Sequence, residues 1–375
     1  LTTPKIVCQA GGLDQLGSLM KGLGVRRALI VTDPGIVKCG FAASALASLQ
    51  SAGVEAAVFG DVAADPPIAV VQQAVTAARD FKADGIVGLG GGSSLDTAKV
   101  VAIAANSEQP IEDMFGVDRA VGKRLPLIQV PTTAGTGSEV TWVSVITSAS
   151  HEKKAVYAPQ LLPDIALLDA KLTLGMPRHI TAATGLDAIE AATSRSRKNP
   201  LSDVLAEKAL ALLGQNMPKV FENPADIEAR EAMLLGSALA GLAFINASVA
   251  SIHALSYPLG TNFHVAHGHG NALVTAPVLR FNLPAAEQTY ALLATCLLPN
   301  QKFASQSAAA KALIDEFQRL FELSGLKTKL SQLGITEDAI APMAKEVTTG
   351  ITRLLVNNPR DMSYDDVCAL YREVL

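Results

Sequence analysis

A chain of 375 residues is too long for one ordinary hydrophobic core, so two domains are expected. Hydrophobic residues make up 49% and charged residues 18%, a balance that excludes a disordered protein. The net charge of −4 disfavours nucleic acid and anionic lipid as partners, and the scattered Cys8, Cys39, Cys296 and Cys368 indicate neither a disulfide framework nor a thiolate metal site.

Through the first half, short β-branched apolar runs at residues 28–31, 55–59, 85–89 and 127–130 alternate with stretches at 41–52 and 68–81 whose apolar residues recur every three or four positions. The runs read as strands buried on both faces, and the stretches between them as helices packed on their sheet. This alternation predicts a parallel α/β domain over residues 1–177. Long Ala- and Leu-rich stretches at 203–213, 227–247, 284–297 and 304–323 then predict a mostly helical domain over 178–375. No apolar run reaches the roughly eighteen residues that span a bilayer, and no basic and apolar leader is present, so a soluble cytoplasmic protein with no membrane partner is expected.

The run at 85–89 passes into Gly90-Gly91-Gly92-Ser93-Ser94-Leu95-Asp96-Thr97-Ala98-Lys99, which opens a helix. Glycines let a ligand approach the backbone, and the free amides and dipole at a helix start favour phosphate, so a dinucleotide pyrophosphate is expected there. A tight turn with Ser93 or Ser94 capping the helix is the structural alternative. The polar loop at 131–140 carries hydroxyls suited to phosphate, ribose or carboxamide groups. Asp33, directly after the first strand, is placed to accept from a ribose hydroxyl and to repel a 2′-phosphate; the plainer alternative is a turn aspartate before Pro34-Gly35.

Of the six histidines, His253, His264, His267 and His269 crowd into one short segment. Neutral imidazole is the commonest metal-binding side chain, so a metal site is the first reading of the cluster and a chance gathering of surface or core histidines the alternative.

Together with the segments at 3–7, 90–99, 131–140, 161–169, 184–188 and 352–360, the cluster resembles the iron-dependent, group III alcohol dehydrogenases, whose members include lactaldehyde reductase and 1,3-propanediol dehydrogenase. The resemblance runs along nearly the whole chain. It implies a Rossmann-like N-terminal α/β domain and an all-α C-terminal domain in a dehydroquinate synthase-like architecture, with the active site in the cleft between them. It implies hydride transfer between NAD and a small alcohol or aldehyde, usually with Fe²⁺ and in some relatives with Zn²⁺, by a homodimer. By the same resemblance Gly91, Gly92, Ser93 and Asp96 lie at the pyrophosphate and the substrate-facing loop, Thr132, Thr133 and Ser138 hold the cofactor, and the pair Lys153-Lys154 matches a ribose-contacting lysine.

The family's metal is held by an Asp, a His four residues later on one helix, and two further His fourteen residues apart. Asp187 matches the first, and His253 and His267 have the spacing of the last pair. Where the family reads Asp-Ala-x-x-His-Ala-Ile-Glu-Ala, this chain reads Asp187-Ala188-Ile189-Glu190-Ala191, as if four residues were removed. The favoured expectation is that the sequence omits residues here, as it omits an initiator Met, and that a histidine belongs in the gap. In the alternative the shortening is genuine and Glu190, one turn from Asp187, becomes a substitute ligand. Tyr257 stands where many members have a histidine of a proton relay; a phenol relays protons too but, with an ordinary pKa of about 10, does not titrate near neutrality. Asp96 and Tyr257 are the catalytic candidates, and Asp65 replaces the family's usual Asn. Two rival functions are a lyase of the 3-dehydroquinate synthase type, for which the histidine segment lacks an Arg or Lys cluster, and a metal-free nucleotide-binding protein without catalysis.

Overall fold

The structure, a computed structural model, describes residues 2–150, 152–176 and 186–375. It divides into two compact units, Thr2–Gly175 and Met176–Leu375. The domain boundary expected at 177/178 lies outside the described residues, as do Thr184 and Gly185 of the expected motif.

Among the described residues the first unit contains β1 (Lys5–Cys8), β2 (Arg27–Val31), β3 (Glu55–Phe59), β4 (Gly85–Gly90), β5 (Gly116–Val117), β6 (Leu127–Pro131), β7 (Val143–Thr147), β8 (Lys153–Tyr157) and β9 (Ile165–Leu168). Six of these form an all-parallel sheet in the order β1-β9-β6-β4-β2-β3, and a small second sheet has the order β5-β8-β7. The apolar runs are two-sided as expected. Leu29, Val31 and Ile86 enter one core, while Ala28, Ile30, Val87 and Leu89 enter the core on the other face. Helices Phe41–Ser51 and Ile68–Asp80 occupy the expected places. Strands β1 and β9, each four residues long, and the small sheet carry too little apolar periodicity to be read as strands from sequence.

Glycine at position 88 sets how closely the helix Gly92–Ala104 lies on the sheet. A Cβ there would stand 2.1 Å from Gln129 Oε1 and 2.9 Å from the Cβ of Ala98 on that helix. Gln129 in turn donates to the carbonyl of Leu95, at 2.9 Å, tying β6 to the same helix.

The second unit has no strand among its described residues, with helices Leu186–Thr193, Pro200–Glu222, Ile227–Ala247, Ser251–Phe263, His267–Leu297, Gln306–Leu323, Ile340–Gly350, Thr352–Leu355 and Tyr364–Glu373 around one core. The stretch at 227–247 is met at both ends. The stretch at 284–297 instead extends back to His267, straight through Pro277 and Pro284. Proline removes one helical hydrogen bond, and here the burial of Ala276, Pro277, Val278 and Leu279 outweighs that loss. Helices Ile227–Ala247 and Ser251–Phe263 bend by 104° where Ser248 adopts φ 72°, which turns the second across the bundle. Among the described residues no single helix is long and apolar enough to cross a membrane.

Substituting Gly88→Ala is expected to lower unfolding free energy by about 1–3 kcal/mol through overpacking at the helix–sheet contact. Urea denaturation followed by circular dichroism checks this, and an unchanged midpoint would show that the contact yields without cost.

Candidate functional site

In the first unit, β4 ends on Gly90 with φ 147°. A Cβ at this position would lie 2.7 Å from Ser94 Oγ and 3.1 Å from Asp33 Oδ2, so only glycine fits between the two loops. The N-cap of helix Gly92–Ala104 is Gly91, and no side chain caps it. The structure therefore corrects the alternative in which Ser93 or Ser94 is the cap. Ser93 Oγ accepts instead from the amide of Asp65 at 3.3 Å, and Ser94 Oγ donates to Asp33 Oδ2 at 3.1 Å. The first amides of this helix lack a side-chain acceptor, the arrangement that a phosphate oxygen completes.

The loop after β6 closes on the glycines. Thr132 donates its amide to the Gly90 carbonyl at 2.9 Å; a Cβ on Gly91 would lie 3.7 Å from Thr133, and one on Gly92 2.9 Å from Thr136. Asp33 is the turn residue that the plainer alternative expected. Its Oδ1 caps helix Pro34–Lys38 by accepting from Gly35 and Ile36, while Oδ2 faces Ser94 and the glycine loop. The two lysines separate cleanly. Lys153 Nζ pairs with Asp65 Oδ1 at 2.8 Å, beside Ser93, whereas Lys154 pairs with the exposed Glu152.

Asp96 and Ser138 are engaged inside this unit. Asp96 Oδ1 accepts from Ser138 Oγ at 2.6 Å and Oδ2 from the Val145 amide at 2.8 Å. Fully buried Lys99 donates to Ser138 Oγ, Thr141 Oγ1 and the Val143 carbonyl at 2.8, 3.0 and 2.7 Å. Burial pulls its pKa down, with Asp96 and Glu139 opposing. Sequence reasoning did not single out Lys99 or Glu139, because a buried ion group leaves no periodic signal. Glu139 is buried beside this network, and burial raises its carboxyl pKa to about 7, only partly offset by its own backbone N–H and by Lys99.

In the second unit the histidine segment is split by the end of one helix and the start of the next. His253 lies buried in helix Ser251–Phe263, His264 is its left-handed C-cap, and His267 opens helix His267–Leu297. His269 faces elsewhere, with Nε2 2.7 Å from the Lys327 carbonyl and its ring against Phe321. Asp187 Oδ1 stands 3.2 Å from His253 Nε2. Glu190 Oε2 bonds the other ring nitrogen, Nδ1, at 2.5 Å, and Glu190 Oε1 accepts from the Ile252 amide at 2.7 Å. Burial alone would lower the His253 pKa, but the charge and hydrogen bond of Glu190, with Asp187, lift it well above the usual histidine range. The His253 and His267 ring centroids are 5.2 Å apart, and the Tyr257 ring sits 6.5 and 6.3 Å from them. Asp187, His253, His267 and Tyr257 thus come together as the sequence implied.

The helix Leu186–Thr193 carries no histidine. The alternative in which Glu190 becomes a substitute ligand is corrected here: its carboxylate is spent on Nδ1 and the Ile252 amide, which leaves Nε2 of His253 as the nitrogen facing Asp187. Counted back from Glu190, Asp187 occupies the place that the resembled pattern gives to its histidine. The pattern's aspartate position falls on Ala183, outside the described residues. Asn271, one turn after His267, is a site residue that sequence reasoning missed, although its four-residue spacing from His267 was visible.

Among the described residues no three His, Cys, Asp or Glu side chains converge closely enough to hold a metal. Asp187, His253 and His267 still offer donors of the type iron and zinc accept, one carboxylate oxygen and two imidazoles, with Glu190 behind His253 as an orienting carboxylate.

Comparison with known proteins agrees with both halves. The family described as iron-containing alcohol dehydrogenase matches residues 3–170, and the one described as Fe-containing alcohol dehydrogenase family, C-terminal, matches residues 181–375. The chain is 38% identical to long-chain-alcohol dehydrogenase 1 of Geobacillus thermodenitrificans, an alignment covering 96% of this chain and 92% of that protein. Among solved structures it is similar to 1,3-propanediol oxidoreductase, with TM-score 0.93 and 31% identity over 100% of this chain and 98% of the other. It is also similar to sulfoacetaldehyde reductase from Bifidobacterium kashiwanohense in complex with NAD⁺, with TM-score 0.88 and 30% identity over 99% and 96%.

The Glu139 carboxyl sets a pH dependence. Its folded pKa of about 7 lies above the ordinary 4.5, so between these values the folded state binds more protons than the unfolded chain and stability falls as pH rises. The destabilisation is complete above pH 7 and on the order of 3 kcal/mol. Glu139→Gln should flatten the difference in unfolding free energy between pH 5 and pH 8, and equal pH slopes for the two proteins would refute this.

Proposed function

The chain belongs to the iron-containing alcohol dehydrogenase family, an alcohol and aldehyde oxidoreductase family, and from that premise we propose that it moves hydride between NAD(H) and a small alcohol or aldehyde in a metal-dependent reaction. The observation that carries the metal half is Glu190 on His253 Nδ1. That contact fixes the ring so that Nε2, the nitrogen beside Asp187, is left to a metal, in the carboxylate–histidine–metal arrangement common to such sites. Asp187, His253 and His267 supply donors of the right type, although among the described residues they do not close round an ion, and a bound metal would supply a positive charge that stabilises negative charge developing on the substrate oxygen.

The chain's own residues do the rest. The uncapped start of helix Gly92–Ala104 and the glycine loop receive the pyrophosphate, with Ser93, Thr132 and Thr133 at its edge. Lys153, held by Asp65 next to Ser93, contributes a cation to the same ligand. Asp33 Oδ2 faces the glycine loop and favours NAD over a cofactor carrying a 2′-phosphate. Asp96 and Ser138 keep the cofactor loop in place through their mutual hydrogen bond. Tyr257, ringed by His253 and His267, hands on the hydroxyl proton as hydride leaves for the nicotinamide, so alcohol and NAD⁺ become aldehyde, NADH and a proton. A homodimer is proposed as the working form, to be read by light scattering.

Turnover of a panel of small aldehydes with NADH, with Fe²⁺ or Zn²⁺ supplied, is the direct test. His267→Ala should lose both metal and turnover, by more than about 100-fold. Full activity in a metal-free His267→Ala sample would sink the metal-dependent reading. NAD binding without turnover at any metal would favour a nucleotide-binding protein that lacks catalysis.

The cofactor choice has its own check. Asp33→Gly should shrink the NAD-to-NADP ratio of kcat/KM by about tenfold or more, while the lost cap on helix Pro34–Lys38 costs only a few tenths of a kcal/mol. Equal efficiency with the two cofactors in the unsubstituted enzyme overturns the assignment.

A further inference from the structure

A pocket of about 220 Å³ opens in the helical unit where the end of helix Leu186–Thr193 meets helix His267–Leu297. Its charged lining is all of one sign: Arg195 and Lys198 line it, and among the described residues no carboxylate does. Thr193, Ser194 and Thr289 add hydroxyls, and the rest of the wall is alanine and proline. At about 30 Å³ for each water displaced, the space suits a molecule of a few carbon atoms and one charged group.

The polar lining keeps donors in reserve. Arg195 gives Nη1 to Asp361 Oδ1 at 2.6 Å, but Asp361 is 95% exposed, so water screens the pair, and the rest of the guanidinium fork makes no hydrogen bond among the described residues. Lys198 Nζ donates to the Ala192 carbonyl at 3.1 Å and stands 3.4 Å from Asp203 Oδ2, which leaves the third of its protons without a protein acceptor there. Ser194 is wholly buried, and its Oγ has no partner among the described residues, a state that buried hydroxyls seldom keep. Thr193 differs, since its proton goes to the Ile189 carbonyl at 2.8 Å. The last carbonyls of helix Leu186–Thr193 oppose an anion, and Lys198 covers one of them, that of Ala192.

We propose that this pocket binds a small oxyanion, a carboxylate or phosphate group on a short carbon body, held by the Arg195 guanidinium, the Lys198 ammonium and the Ser194 hydroxyl. An oxyanion accepts from several such donors at once, and bonds to charged donors are the stronger kind. Asp187 and Thr193 are six residues apart on one helix, about 9 Å along its axis, so the pocket is not the place where His253 and His267 face each other. The assignment stands whether or not the reaction is metal-dependent.

The test is calorimetric titration of the full chain with inorganic phosphate and with propionate, in the presence of NADH so that the glycine loop is already filled. One oxyanion per chain is expected to bind, and the tighter of the two probes tells a phosphate ligand from a carboxylate one. Arg195→Ala and Lys198→Ala should each weaken binding about tenfold or more, and Ser194→Ala by a smaller factor. Neutral propionamide, which has the shape of propionate without its charge, should not bind. Circular dichroism melts establish that each variant is folded; should Arg195→Ala not fold, Arg195→Lys, which keeps the charge and loses the fork, is expected to bind more weakly than the unsubstituted chain. No uptake of either oxyanion, unchanged affinity in the Arg195 and Lys198 variants, or propionamide binding as tightly as propionate overturns the proposal.

Discussion

The helical unit is organised around one buried carboxylate. Glu190 is 3% exposed and spends both oxygens, one on His253 Nδ1 and one on the first-turn amide of Ile252. A carboxylate at a helix start is favoured by the free amides and the dipole there. The same group pins helix Leu186–Thr193 against helix Ser251–Phe263 and dictates which ring nitrogen of His253 is available. Breaking a buried pair of this kind strands a charge in an apolar core, a loss of several kcal/mol. Around it lies the apolar packing of Ala188, Ile189, Ala191, Ile252, Ala254 and Leu255, which offers no other partner for a charge.

The two units arrange their polar groups by opposite means. In the nucleotide unit, removal of side chains matters: Gly88 lets a helix approach the sheet, and Gly90 lets two loops meet at Ser94 and Asp33. Polar side chains there stabilise the loops from behind. Lys99 is buried yet finds three oxygen acceptors besides Asp96, so its charge is solvated by the protein itself. In the helical unit the clustered polar atoms around His253 belong to side chains, and what matters is how neighbouring helices orient them.

That difference explains what could be read from residues alone. Apolar runs at 28–31, 55–59, 85–89 and 127–130 are strands of the parallel sheet, because two-sided burial leaves an unmistakable pattern. The glycine loop and the His253 and His267 pair were legible from local spacing. Long-range contacts were not. Glu190 and His253 are 63 positions apart, and nothing in the sequence says which face of the imidazole the carboxylate takes. Helix His267–Leu297 escaped because its prolines argue locally for a stop while burial argues for continuation. Asp33 shows a further limit: the sequence placed it in a turn, yet gave no sign that its second oxygen reaches Ser94, 61 positions away.

Helix Leu186–Thr193 shows how one strong contact fixes the register of a short element. Glu190 meets both His253 Nδ1 and the Ile252 amide, and displacing it would leave a carboxylate, an imidazole and a helix amide unpaired in the core. With Glu190 held there, Asp187, three residues earlier and so on nearly the same face of the helix, meets the same imidazole at its other nitrogen, Nε2. One buried carboxylate thereby decides how both the imidazole and a second carboxylate present themselves to the residues around them.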